Sequence, residues 1–103
     1  MKAKEIFLPM QPHNIMKILE GQKTTTIRSK ETTGLTTGEV GIISFRGNQY
    51  SIINLGYLTI EEAGGKKEII KSEGLNSEDE FMFKQSKDWV NGKGKMWVYR
   101  MWK

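Results

Sequence analysis

The sequence predicts a single α+β domain, a small mixed β-barrel of about five to six strands with two to three flanking helices. Its 103 residues suit one domain and leave little room for a second. Short β-branched and aromatic runs alternate with helical patterns in the order β-α-β, then a β meander, then helices, then a closing strand. Two of those runs, residues 40–45 and 50–60, are apolar on both faces, as in a barrel wall with further structure packed outside it.

Residues 4–10 read as a short strand closed by Pro9. Gln11-Pro12 opens a helix, because proline at the first helical position gives up no hydrogen bond. Ile15, Ile18 and Leu19 recur at helical spacing, and Gly21 is a left-handed stop. Residues 24–28, Thr24-Thr25-Thr26-Ile27-Arg28, are β-branched and suit a strand, and residues 29–37 form a polar loop. Arg46-Gly47-Asn48 turns the chain between the two long strands. Gly64-Gly65 interrupts it before a short helix over 66–72. Ser77-Glu78-Asp79-Glu80 has capping-box spacing and opens a helix carrying Phe81, Phe83 or Lys84, and Trp89. Residues 91–94 are a loop before the final strand, 95–102, with Trp97, Tyr99 and Met101 on one face and Met96, Val98 and Trp102 on the other.

Ten aromatic residues supply bulk for a core, and at least two of the three tryptophans are expected inside it. The absence of cysteine excludes disulfide frameworks, thiolate zinc sites and cysteine nucleophiles. With a single histidine, His13, a structural zinc site is not expected; no metal or other cofactor is implied, and His13 itself reads as a surface residue. The longest apolar run, residues 6–10, contains a proline and is too short to span a membrane. Lys2 and Lys4 are not followed by a signal-peptide core, so a cytoplasmic location is expected.

The net charge of +4 is unevenly laid out: residues 1–30 carry +4, residues 31–80 carry −5 and residues 81–103 carry +5. If the terminal strands pair, their charges merge into one positive face that attracts phosphates by Coulomb steering. Ordinary solubilising charge is the alternative reading.

The densest polar cluster is Gly21-Gln22-Lys23-Thr24-Thr25-Thr26-Ile27-Arg28. Lys23 follows the helix stop, and strand alternation puts Thr24, Thr26 and Arg28 on one face. Two hydroxyls and a guanidinium there make a cradle for a phosphate, a carboxylate or a nucleobase edge. From composition alone, a solvent-facing strand whose threonines serve only β-propensity is the simpler reading. Glu73, before Gly74 at the end of a helical stretch, is not distinguished by spacing from a solvated surface charge. Trp89, Trp97 and Trp102 are candidates for stacking on bases. No phosphate-binding glycine loop, metal cluster or Ser-His-Asp grouping is present.

The strand–helix–Gly-x-Lys-Thr-x-x-Ile-Arg segment, Ile6 to Arg28, resembles the opening of an ASCH domain, a branch of the PUA-like superfamily. Leu35 with Thr36-Thr37-Gly38-Glu39-Val40 resembles that family's lead-in to its next strand. Ser72-Glu73-Gly74-Leu75 followed by Ser77 to Phe81 resembles its late helix start, and Trp97-Val98-Tyr99-Arg100-Met101 fits its last strand. The likeness covers nearly the whole chain, with four short motifs in the family's order. It implies a PUA-like β-barrel with a cleft beside the Gly-x-Lys-Thr turn. Family members are associated with RNA binding, and one bacterial branch of similar size hydrolyses acetylated cytidine nucleosides. That branch uses a lysine, a threonine three residues later and a glutamate before the late helix, which here are Lys23, Thr26 and Glu73. An acid is common at the Thr26 position in the wider family, so threonine favours the hydrolase branch.

The first functional expectation is recognition of RNA or a modified nucleoside in a basic cleft, with Lys23, Thr24, Thr26 and Arg28 as contacts. The second is a metal-independent amidohydrolase in which Thr26 is the nucleophile, Lys23 its activating base and Glu73 a proton shuttle. Ribonuclease activity ranks last, because no acid–base pair for in-line phosphoryl chemistry is evident. The second reading carries two requirements. Lys23 must titrate well below its ordinary 10.4. The turn after Gly21 must also run through Lys23, since residues three apart on a regular strand point to opposite faces.

Overall fold

The computed structural model describes residues 3–76 and 84–103. Its elements are β1 (Lys4–Ile6), α1 (Pro12–Leu19), β2 (Thr25–Arg28), β3 (Val40–Phe45), β4 (Asn48–Leu58), α2 (Lys66–Ser72), α3 (Lys84–Val90) and β5 (Met96–Trp102). The fold is α+β: five strands form one mixed sheet in the order β1-β3-β4-β5-β2, with the three helices packed around it. The β1–β3 pair is parallel and the other pairs are antiparallel.

Most elements fall where the sequence places them, and the departures have local causes. β1 stops at Ile6 rather than running to Pro9. β4 starts at Asn48 because Arg46 and Gly47, with φ of 49° and 81°, turn the chain in two residues and pair Phe45 with Asn48. The capping box at Ser77 and the phenylalanines Phe81 and Phe83 lie outside the described residues.

The hydrogen-bonded strand order is open, with the short strands β1 and β2 at its edges. The first and last strands do not pair with each other; β5 pairs with β4 and with β2, so the basic segments 1–30 and 81–103 meet through β2 rather than β1. Side chains nevertheless draw the two edges together. Arg28, on β2, donates from Nη2 to the carbonyl of Pro9, just past β1, at 3.1 Å. Lys4, on β1, donates to the Gly34 carbonyl in the loop after β2 and pairs with Glu39.

Alternation along β4 and β5 gives the sheet two cores. Ile43, Phe45, Tyr50, Ile52, Tyr99 and Met101 join Ile18 of α1 on one face. Ile60, Ile69, Trp89, Val90, Met96 and Val98 pack together on the other. This bears out the two-faced reading of β5, except that Trp102, at the end of the strand, is exposed. Only Trp89 is fully buried; Trp97 is half-buried, so one tryptophan rather than two sits wholly in a core.

Candidate active site

Two helix ends build the site. At the end of α1 the carbonyl of Lys17 accepts from Gln22 N (2.8 Å) and Lys23 N (3.1 Å), and Gly21 takes a φ of +77°. The turn therefore runs through Lys23, and extended pairing begins at Thr25. The second requirement of the hydrolase reading is met in the backbone. At the end of α2, Glu73 is the C-cap residue and donates its N–H to Ile69 O at 2.9 Å. Gly74 follows with φ +71°, and a Cβ there would lie 3.0 Å from the carbonyl oxygen of Gln22. Only glycine lets the two helix ends come this close at no cost. Thr24 fixes the junction, donating its N–H to Ser72 O (2.7 Å) and accepting from Met101 N (2.8 Å).

Between these ends Lys23 and Glu73 form a buried ion pair, at 6% and 8% exposure. Burial, then the charges of Arg28 and Lys17, pull the Lys23 ammonium down from 10.5 to about 7. The Glu73 carboxylate is the neighbour that holds its charge. The surface role that spacing alone left open for Glu73 is thus replaced by a buried one. The cause lies in tertiary approach, which one-dimensional spacing does not encode.

Thr26 is buried at 4% and lies opposite Tyr99 in the β2–β5 pair; Arg28, two residues on, lies opposite Trp97. Thr24 is exposed. The expected one-faced cradle is thus split between a solvent-facing Thr24, a buried Thr26 and a partly buried Arg28. Arg28 Nε is a buried donor with no acceptor among the described residues.

The sequence reading missed a second unit beside Thr26. The Tyr99 hydroxyl donates to Glu31, whose carboxylate also accepts from Thr33 Oγ1 (2.9 Å) and Gly34 N (2.7 Å). Burial, then the Glu31 hydrogen bond and charge, push the Tyr99 phenol far above its ordinary value. Partial burial pushes the Glu31 carboxyl up, but the donors Tyr99, Thr33 and Gly34 outweigh it, and the net shift is down. The signal available was Glu31-x-Thr33-Gly34, an acid facing turn donors. These bonds pin the 29–37 loop over the face that carries Thr26.

A cavity of about 360 Å3 between the β1–α1 connection and β3 contains none of Lys23, Thr26 or Glu73. His13 is exposed, and no group of three metal-ligating side chains gathers among the described residues. No helix among those residues is long and apolar enough to cross a membrane.

The chain matches no family model, and neither a curated protein nor a solved structure matches it.

Proposed function

We propose that the chain is an ASCH-type, PUA-like domain that hydrolyses the exocyclic acyl amide of an acylated cytidine nucleoside. The observation that carries this reading is the buried Lys23–Glu73 pair, with its lysine titrating near 7, at the head of the strand that buries Thr26. A lysine held that way suits proton transfer at neutral pH. It is poorly placed to grip phosphate, which asks for an exposed cation. The PUA-like assignment draws support from the order of the elements and from the Arg28–Pro9 and Lys4–Gly34 bonds, which bridge residues near the two edges of the open sheet.

In this mechanism the neutral Lys23 amine takes the proton of Thr26 Oγ as that oxygen bonds to the acyl carbon. The tetrahedral adduct collapses, the bond from acyl carbon to exocyclic nitrogen breaks, and the nitrogen takes a proton from the Lys23 ammonium, with Glu73 holding the charge in between. Water then adds to the acyl carbon of the threonyl ester and gives a proton to Lys23; the bond from acyl carbon to Thr26 Oγ breaks, Oγ takes that proton back from the Lys23 ammonium, and the carboxylic acid leaves with Thr26 and the neutral amine restored.

The test is chromatography of acetylated cytidine after incubation with the protein, beside Lys23→Ala and Thr26→Ala. Each substitution is expected to lower turnover by about 100- to 10,000-fold. The wild-type rate should rise through a pH near 7 as Lys23 loses its proton. Absence of turnover by the parent protein at high concentration would overturn the hydrolase reading. Recognition of a nucleoside without turnover, favoured by the exposed Thr24 and the unpaired Arg28 Nε, would then stand in its place.

A further inference from the structure

Helices cover one end of the sheet's second face and leave the other end exposed. Met96 and Val98 of β5 lie in the core with Trp89 and Ile69. Arg100 and Trp102, next on the same face by alternation, are exposed. The strand register carries both rows across the sheet. Arg100 lies opposite Ile53, and Ile53 opposite Val40. Trp102 lies opposite Ser51, Ser51 opposite Ile42, and Ile42 opposite Glu5. Val40 and Trp102 are each 43% exposed, and Ile42 and Ile53 are half-buried. These four apolar side chains make one patch over β3, β4 and β5, with an exposed acid at its β1 border and an exposed base at its β5 border.

The two charges decide what the patch fits. Neither Glu5 nor Arg100 has an ion pair among the described residues. Their strands stand three spacings apart, which separates the charges by roughly 14 Å across the sheet. Two identical sheets stacked face to face are related by a two-fold axis lying in the plane of contact. With that axis midway between the charges, one copy sets its Glu5 over Arg100 of the partner subunit, and symmetry forms the reverse pair. The same rotation lays Ile42 and Ile53 of one copy on the apolar patch of the other. A uniformly acidic or uniformly basic partner would meet one charge of its own sign; a second copy of this chain meets none.

We propose that the chain forms a two-fold homodimer through this exposed half-face, held by the four apolar side chains and by two Glu5–Arg100 pairs. The patch spans roughly 20 by 14 Å, below the ~1,200 Å2 of total buried surface typical of stable interfaces, so the dimer is weak and concentration-dependent. Thr26 lies opposite Tyr99 on the other face, which the pairing leaves free. The dimer is independent of the hydrolase reading, because it is measured by mass and not by turnover.

Sedimentation equilibrium of the full chain from about 1 to 500 µM tests it, with an expected dissociation constant of about 10–100 µM. Trp102→Ala should weaken association at least about tenfold. Glu5→Arg and Arg100→Glu each bring like charges together twice, and each should weaken it at least about tenfold. These two substitutions move the net charge in opposite directions, so overall repulsion does not imitate that result. Mixed in equal amounts, the two variants form opposite-charge pairs across a heterodimer, and association should return to the parent's strength. All three positions are exposed, and unchanged thermal melting of the dilute variants separates a lost contact from a lost fold. A parent protein that stays monomeric up to about 500 µM would overturn the proposal. A dimer undiminished in Trp102→Ala would also overturn it, pointing to edge pairing through β1. So would a mixture of the charge variants that associates no better than either alone.

Discussion

Glu73 keeps a lysine charged in a place where water does not, so its removal is a direct probe of the pair. Glu73→Gln leaves the Lys23 ammonium buried without an anion, an expected loss of about 3–5 kcal/mol at pH 6. The loss should shrink as pH rises, because the amine sheds its proton. With a folded value near 7 against 10.5 in the unfolded chain, the unfolded state binds more protons between those limits, and stability climbs with pH across that window. Lys23→Met combined with Glu73→Leu should abolish the slope and match the parent or exceed it by about 1–4 kcal/mol, at the expense of turnover. Urea unfolding at pH 6, 7.5 and 9 measures all of this. Composition and motif order already singled out Lys23, Thr26 and Arg28. The burial of Lys23 was not legible, because it depends on the end of α2 arriving over Gln22, an approach between residues some fifty positions apart.

At the scale of elements, Gly21 and Gly74 look alike in sequence, yet their surroundings differ. A Cβ at Gly21 meets nothing within 4 Å, whereas one at Gly74 meets Gln22 backbone at 3.0 Å, and both have positive φ. Each alanine substitution should therefore cost about 1–2 kcal/mol from the left-handed backbone. Gly74→Ala should cost more, and should lower turnover out of proportion to its stability loss by pushing Glu73 away from Lys23. Thermal melts and kinetics on the two variants check the contrast. Strand β3 and helix α2 were readable because local pattern decides them: a β-branched apolar run over 40–45, and a glycine break before 66–72. The extent of β1 was not, since its pairing with β3 depends on a distant partner and on the close approach at Gly41, where a Cβ would lie 2.9 Å from Lys4 O.

Across the whole molecule, β4 and β5 belong to both cores, so damage to one core is felt by the other. Trp89 is fully buried and donates from Nε1 to Leu58 O at 2.8 Å. Trp89→Ala is expected to cost about 3–5 kcal/mol. The remaining unfolding should stay a single transition, with far-ultraviolet dichroism and the fluorescence of Trp97 and Trp102 moving together. Non-coincident curves would mean that the two faces unfold independently. The two-core arrangement was legible in the alternation of Met96-Trp97-Val98-Tyr99. The open strand order was not, because edge pairing is set by strand length and curl rather than by hydrophobic pattern.

Strand β5 follows every other strand in sequence yet lies between β4 and β2, and among the described residues β2 has no other strand neighbour. A chain emerging from the ribosome N-terminus first therefore carries Thr25–Arg28 unpaired until residues 96–102 follow it out. The carbonyl of Thr24 likewise waits for the amide of Met101. Vectorial synthesis thus extends a chain whose Thr25–Arg28 strand gains its pairing partner only when residues 96–102 slot in beside it.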